Sequence, residues 1–236
     1  MSIDKVFTKE SLDYYLKELA KEFRKRNGTK VPAEIILIGG AAVLANYGFR
    51  EMTYDIDAVI TASSAMKEAI NVVGDRLGLP NGWLNTDFKS TSSYSLKLAQ
   101  YSQHYRIYSN ILNIRTVKAE YLVAMKLVSG RRYKKDLSDI VGILNEQEKS
   151  GQPLSYEKIN RAVNALYGGW EAISEYSINV LRAALDTDNL SELFEKQMQE
   201  EDEAKETVLI IKQKYPQTVT NSNMNDIIEQ ALKRKS

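Results

Sequence analysis

The 236-residue chain contains no cysteine, which excludes disulfides and thiolate metal sites and points to a reducing compartment. It has a single histidine, His104, set between polar residues, a poor candidate for imidazole chemistry. Neither sign of charge prevails, with 32 Lys+Arg against 31 Asp+Glu. Attraction for nucleic acid therefore cannot rest on net charge and has to come from local patches. Long apolar runs are missing too. The longest, Ile35 to Ala45, is too short to span a bilayer and is broken by glycines. The N-terminus, MSIDKVFTKESLDYY, lacks a basic-then-apolar signal pattern. A soluble, cytoplasmic protein with no membrane partner is expected. No internal repeat and no low-complexity segment is evident.

What is present divides the chain in two. Residues 9–26 carry Leu12, Tyr15, Leu16, Leu19 and Phe23 at helical spacing before Asn27-Gly28. AEIILI (33–38) reads as a buried strand, followed by a short helix over about 41–47. YDIDAVI (54–60) reads as a second strand, and SSAMKEAINVVGDRLG as a helix with a serine N-cap and a glycine end. Residues 80–104 are polar and turn-rich, with no assignable element. YRIYS and ILNIRTVK predict two strands joined at Asn110. From Ala119 onward the pattern is helical: 119–129, 134–146, 155–166, 169–186, 188–212 and 221–234, with breaks at Gly151, Pro153, Gly168-Gly169 and Pro216. The fold class expected is α+β, with a sheet-containing core over 1–118 and a helical region over 119–236 that completes the active-site cleft.

One stretch joins two features. GGAAVLANYGFREMTYDID (39–57) places Gly39-Gly40 between a strand and a short helix, where free backbone N–H groups and the helix N-terminus can receive a phosphate. Asp55 and Asp57 follow on a strand. Residues two apart share a face, with Cα atoms about 7 Å apart, and a divalent cation would reverse the repulsion between such carboxylates. Mg²⁺ favours one or two carboxylates plus substrate phosphates. Arg50 and Thr53 lie between and are candidates for phosphate contacts, Arg50 through a bidentate fork. A tight turn and an ordinary strand with water-facing aspartates, packed through Tyr54, Ile56, Ala58 and Ile60, is the alternative.

The same stretch resembles the signature of the nucleotidyltransferase superfamily, in which Gly-Gly or Gly-Ser precedes Asp-x-Asp. Its spacing is most similar to the bacterial branch that includes the abortive-infection toxins of type IV toxin–antitoxin systems. The resemblance covers roughly residues 33–145. It implies a mixed β-sheet with flanking helices, Mg²⁺ or Mn²⁺ on Asp55 and Asp57, and a nucleoside triphosphate at Gly39, Gly40, Arg50 and Thr53.

Lys126 is the only charged residue between Tyr121 and Val128. A buried ammonium must snorkel, find an anion or line a cleft. The related toxins carry a lysine at the end of a similar helix, which implies a phosphate ligand at Lys126. A methionine in its place is expected to keep or raise stability, because an apolar side chain suits that helix. In the next helix, Leu137, Ile140, Val141 and Leu144 define the buried stripe. Asp136 falls at its margin, facing a cleft, and Asp139 nearly opposite, facing solvent. The relatives' (R/K)-D-L-x-D-(I/L) motif likewise implies a functional aspartate at Asp136. Many nucleotidyltransferases place a third carboxylate on a later strand, but ILNIRTVK has Arg115 and no acid. The resemblance to the toxin branch implies that Asp136 takes that role from the helical side, as the general base or the group that orients it.

Weaker signals remain. GRRYKK (130–135) is either a solvated loop or a landing site for phosphates of RNA or of the triphosphate. NGWLNTDFKS (81–90) resembles a segment of the related sequences, which implies Asn85 and Asp87 near the pocket and leaves Trp83 as a core residue. EEDEAKE (200–206) reads as an exposed helix face and KRKS as a frayed end. The expected function is Mg²⁺-dependent transfer of a nucleoside monophosphate to RNA (tRNA included), a protein or a small molecule, as the toxin partner of an antitoxin protein. A non-catalytic nucleotide-binding or interaction protein on the same fold is the alternative.

Overall fold

The computed structural model describes residues 6–29, 31–215, 220 and 224–233. The chain forms two compact units, residues 1–122 and 123–236, so the division falls inside a helix rather than ahead of it. The expected break at Pro216 and the KRKS end from Arg234 on lie outside the described residues.

Unit 1 is built on a five-stranded mixed sheet in the order β3-β2-β1-β5-β4. Its strands are β1 (Ala33–Leu37), β2 (Ile56–Thr61), β3 (Leu84–Asn85), β4 (Ser102–Tyr108) and β5 (Leu112–Val117). Central β1 runs antiparallel to β2 and parallel to β5, while β3 adds parallel to β2 and β4 antiparallel to β5. The β4–β5 hairpin turns through Ser109 and Asn110, both left-handed with φ of 52° and 53°, the geometry that a two-residue hairpin loop requires. Residues 80–104, unassignable from pattern, hold β3 and two short 3₁₀ helices, Asp87–Ser90 and Leu96–Tyr101.

Three helices flank this sheet: α1 (Lys9–Asn27), α2 (Gly39–Asn46) and α3 (Ala65–Leu77). Helix α1 begins at a capping box, in which Thr8 and Ser11 satisfy each other's backbone N–H groups. It buries Leu12, Leu16, Leu19 and Phe23, as its spacing predicts. The serine cap expected for α3 is absent: Ser64 sits at the N-cap with helical φ and ψ and makes no capping bond. Ser63 is committed instead to Asn27 Oδ1 at 2.7 Å. Trp83 fills the core next to Gly74, its indole N–H donating to the Ile70 carbonyl.

The helix α4 (Ala119–Ser129) leads from unit 1 into unit 2, followed by α5 (Asp136–Lys149), α6 (Tyr156–Tyr167), α7 (Glu175–Asp186), α8 (Leu190–Lys214) and α9 (Met224–Lys233). Helix α5 is the centre of unit 2 and packs on α7 and α8. All of its residues from Asp136 to Leu144 are buried, so it has no solvent face over its first two turns. Ser138, Asp139 and Gly142 give that segment an amphipathic look which its surroundings do not honour. The segment 169–174, expected as the start of α7, is a loop that follows Gly168 in the left-handed region (φ 83°). Among the described residues no helix is long and apolar enough to cross a membrane.

Candidate functional site

In unit 1 the predicted residues converge on the connection between β1 and α2. Gly39 and Gly40 are the first two residues of α2 rather than a turn ahead of it. The N-cap, Ile38, has no side chain able to cap the helix, so the first-turn N–H groups and the positive end of the helix dipole are directed at whatever occupies this end. Gly39 has φ +52°, which an L side chain adopts only under strain. A Cβ there would lie 3.9 Å from Asp57 Oδ2. A Cβ on Gly40 would come within 2.7 Å of Thr53 Oγ1 and 2.9 Å of Arg50 Nη2. The second glycine is thus required by close approach, and it sets the Arg50 guanidinium and the Thr53 hydroxyl against the helix N-terminus.

The aspartates arrive from β2. Strand β2 begins at Ile56, two residues later than the pattern predicts, so Asp57 lies in the strand and Asp55 just ahead of it. Tyr54 is outside the strand and exposed, and the apolar side of β2 reduces to Ile56 and Ala58. Asp57 is held through its backbone, whose carbonyl accepts from Ile38 N–H at 3.1 Å. That bond ties the carboxylate strand to the residue preceding the glycines. Asp55 is exposed and Asp57 half-buried. The buried Thr53 hydroxyl donates to the Asp55 carbonyl at 3.2 Å and lies 3.4 Å from Asp55 Oδ1. Thr53 is itself pinned by a two-bond bridge to Phe7. Arg50 folds back so that its Nε–H donates to the Met52 carbonyl at 3.1 Å. Gly39, Gly40, Arg50, Thr53, Asp55 and Asp57 therefore form one constellation. Directly across the β2–β3 ladder, Asn85 is the register partner of Asp57, so both side chains share a sheet face. Asn85 Oδ1 accepts the Asp87 N–H at 2.8 Å, which fixes the turn that displays the exposed Asp87.

These groups suit a hard divalent cation. Two accessible carboxylates supply oxygen ligands, and the space beside Gly39 that a side chain would fill stays open next to Asp57. Among the described residues no group of three or more Asp, Glu, His or Cys could hold a metal alone. A cation here would have to share its ligands with substrate phosphates.

Lys126, Asp136 and Asp139 belong to unit 2, where they form a buried network. The Lys126 ammonium is 2.8 Å from both Asp136 Oδ1 and Asp139 Oδ2. Lys126 is 6% exposed, Asp136 1% and Asp139 2%. Two expectations change. Asp139 does not face solvent, because α5 is enclosed on all sides. The anion that Lys126 finds is a pair of aspartates within its own unit, so an apolar replacement would take a shared cation from two buried carboxylates, leaving Asp136 to Arg131, and not relieve a misfit.

Asp136 also accepts from Arg131, at 2.7 Å from Nε and 3.2 Å from Nη2. Burial alone would raise the proton affinity of Asp136, but Lys126 and Arg131 overcome it and hold the carboxyl far below the usual carboxylate range. So strongly stabilised an anion is a weak proton acceptor. The expected role of general base does not suit Asp136; holding Lys126 and Arg131 in place does.

The pattern reading missed Arg131 and Glu201. Arg131 sits in a run of four basic residues, with nothing to single it out. Glu201 sits in EEDEAKE, read as an exposed face, yet it is buried on α8. Its Oε1 accepts the N–H groups of Leu137 and Ser138 at 2.8 and 3.2 Å, capping α5. Among the described residues, Oε2 has no hydrogen-bond partner. Burial pushes its carboxyl up to about 8, against the capping bonds and with help from Asp139. The other half of EEDEAKE behaves as expected, with Asp202, Glu203, Lys205 and Glu206 exposed.

A mixed sheet that brings a glycine-opened helix, an arginine and an Asp-x-Asp strand together defines a nucleotidyltransferase-like protein. The chain belongs to a family described as a nucleotidyltransferase of unknown function (DUF6036), whose model matches residues 14–162. That match spans the whole sheet, the unit 1 constellation and the Lys126–Asp136–Asp139 network. No curated protein and no solved structure matches the chain.

Proposed function

We propose that the protein transfers a nucleoside monophosphate from a nucleoside triphosphate to an acceptor hydroxyl, with release of pyrophosphate. The observation that carries this reading is the placement of Arg50, Thr53 and Asp57 around the Gly39-Gly40 end of α2. Asp55 and Asp57 would hold Mg²⁺ or Mn²⁺. Such an ion supplies neutralisation of the charge on the transferring phosphoryl group. The α2 N-terminus binds the phosphate tail through backbone N–H groups, and Arg50 adds a planar fork to a non-bridging oxygen. Thr53 orients Asp55. Asn85, opposite Asp57, bounds the pocket on its other strand.

In unit 2 the Arg131 side chain is 43% exposed and held by Asp136, and it is a cation that phosphates of an acceptor bound to that unit could meet. Asp87, exposed on the segment that leaves β3, is the carboxylate that takes the place of the missing strand acid as base. The toxin role and the antitoxin partner rest on the resemblance over roughly residues 33–145, and the cytoplasmic location on composition.

The test is incubation of the purified protein with each α-labelled triphosphate, total cellular RNA and Mg²⁺, with EDTA as control. Label transferred in the Mg²⁺ arm and lost with EDTA is the expected result. Triphosphate binding without label transfer to RNA, protein or small molecule would leave a nucleotide-binding protein and remove the enzyme.

A further inference from the structure

Unit 2 contains a cavity that the transfer chemistry leaves unused. It measures about 150 Å³ and is lined by Tyr156 of α6, Trp170 of the 169–174 loop, and Ile178, Leu181 and Arg182 of α7. The Tyr156 and Trp170 rings stack, with centroids 5.7 Å apart and planes at 16°. The indole N–H of Trp170 donates to Asn160 Oδ1 at 2.8 Å, one helical turn beyond Tyr156, so the ring is set in one orientation. Leu181 is buried and Ile178 half-buried, whereas Arg182 is exposed and Tyr156 is 49% exposed. A purely structural aromatic pair gains by being covered. Here Tyr156 stays open to solvent beside a guanidinium, over a half-buried Trp170. A π-surface with an apolar floor takes a planar ring, and an adjacent arginine takes an anion. Together they fit one nucleotide.

The same unit holds a basic loop in a fixed shape. In GRRYKK, Arg131 is bound to Asp136, and Arg132 lies 4.0 Å over the Tyr176 ring. Tyr133 packs on Ala204, Val208, Met224 and Ile228. The backbone is fastened at both ends of the Gly130–Arg132 segment to the Asn225 side-chain amide. Lys134 and Lys135 are exposed. This is a built loop that presents ammonium groups, not a solvated charge run. Helix α7 serves both features: Tyr176 seats Arg132, and Ile178, Leu181 and Arg182 line the cavity. Glu157, Glu171 and Glu175 lie close in sequence to the cavity residues, so attraction for phosphate comes from Arg182 and the loop rather than from a general basic field. An aromatic cavity and a separate basic loop on one unit suit several linked nucleotides better than one.

We infer that unit 2 binds single-stranded RNA, with one base in the Tyr156–Trp170 cavity and backbone phosphates on Arg182 and on Lys134 and Lys135. As the identity of the acceptor this rests on the proposed transfer reaction, but the binding itself needs neither triphosphate nor metal. The probe is a fluorescein-labelled oligoriboadenylate of about ten nucleotides, a length within one binding surface, titrated into the full chain without triphosphate or Mg²⁺. Anisotropy reports affinity. Quenching of indole emission reports the cavity, because Trp83 is 3% exposed.

Trp170→Ala is expected to weaken binding about tenfold or more, Trp170→Phe to retain most of it, and Arg182→Ala to weaken it without loss of fold. Lys134→Ala with Lys135→Ala should reduce the log–log salt slope by about 1.4. Affinity unchanged in both Trp170→Ala and Arg182→Ala would overturn the proposal, as would no wild-type binding at low salt. So would AMP binding as tightly as the oligomer. Asp57→Asn should keep full RNA affinity. RNA binding by a wild-type protein that transfers no nucleotide would count against the transfer reading alone, whereas triphosphate binding and transfer without RNA binding would count against this one.

Discussion

In unit 1 the aspartates at 55 and 57 stand at the accessible end of a strand, beside a glycine-opened helix and an arginine. In unit 2 the aspartates at 136 and 139 are all but excluded from solvent and paired to one lysine. Both are Asp pairs that lie within the span matched by the family model, and a motif search weights them alike. Their surroundings separate them. A carboxylate buried beside its own cation is neutralised before any ligand arrives and contributes chiefly to the fold. A carboxylate kept accessible at a helix N-terminus, where anionic phosphate is also favoured, leaves room for a cation to bridge the two. The buried arrangement serves the fold, and the accessible one is the arrangement proposed as a site.

The strongest way to break this comparison is to remove the shared cation of unit 2. Lys126→Met should cost about 3–5 kcal/mol, the usual penalty for stranding a buried charge. Urea unfolding followed by far-ultraviolet circular dichroism measures it. Adding Asp136→Asn and Asp139→Asn to the same chain should restore part of the loss. A midpoint unchanged by Lys126→Met would mean that the network does not hold the unit together.

The next effect falls on the glycines. Gly39→Ala forces a left-handed residue to carry a side chain, at about 1–2 kcal/mol. Gly40→Ala drives a methyl group into Thr53 and Arg50, so triphosphate affinity should fall by more than stability does. Equal triphosphate affinity in Gly40→Ala and wild type would show that the close approach serves packing only.

A smaller effect sharpens the account of unit 2 through pH. Glu201 keeps its proton in the fold up to about 8, against 4.5 in the unfolded chain. Its contribution to stability is therefore fully present below about pH 4.5 and is lost as pH rises towards 8. Glu201→Gln keeps an acceptor for the Leu137 and Ser138 N–H groups and removes the titration. The drop in melting temperature between pH 5 and pH 8.5 should be larger in wild type than in Glu201→Gln. Parallel curves would mean that Glu201 is ionised in the fold throughout.

The fold class and the unit 1 constellation were legible because they rest on local signals. Apolar runs, glycine breaks and Asp-x-Asp each depend on neighbours a few residues away, and α1 and α4 begin where their spacing says. Legibility ended where tertiary burial overrides periodicity. Asp139 looks solvent-facing on a helical wheel, but α5 is enclosed by the helices of its own unit, and a wheel cannot count neighbours. Glu201 looks like one charge among many, yet it reaches the N-terminus of α5 from 64 residues away in sequence. Trp170 fell in a stretch that reads as helix, and Gly168 with its left-handed φ turns it into a loop. Burial, long-range capping and loop geometry are properties of the assembled chain, and no window of sequence holds them.

The smallest expected change in stability carries the most weight for function. Asp57→Asn alters a half-buried strand residue without adding volume, so stability should stay within about 0.5 kcal/mol of wild type. Calorimetric titration of a nucleoside triphosphate, with and without Mg²⁺, into wild type and Asp57→Asn tests the central claim directly. Mg²⁺-dependent binding in wild type that disappears in a folded Asp57→Asn is the result predicted. Equal affinity in the two proteins, or binding indifferent to Mg²⁺, would contradict the assignment of the Gly39–Asp57 constellation as a metal–triphosphate site.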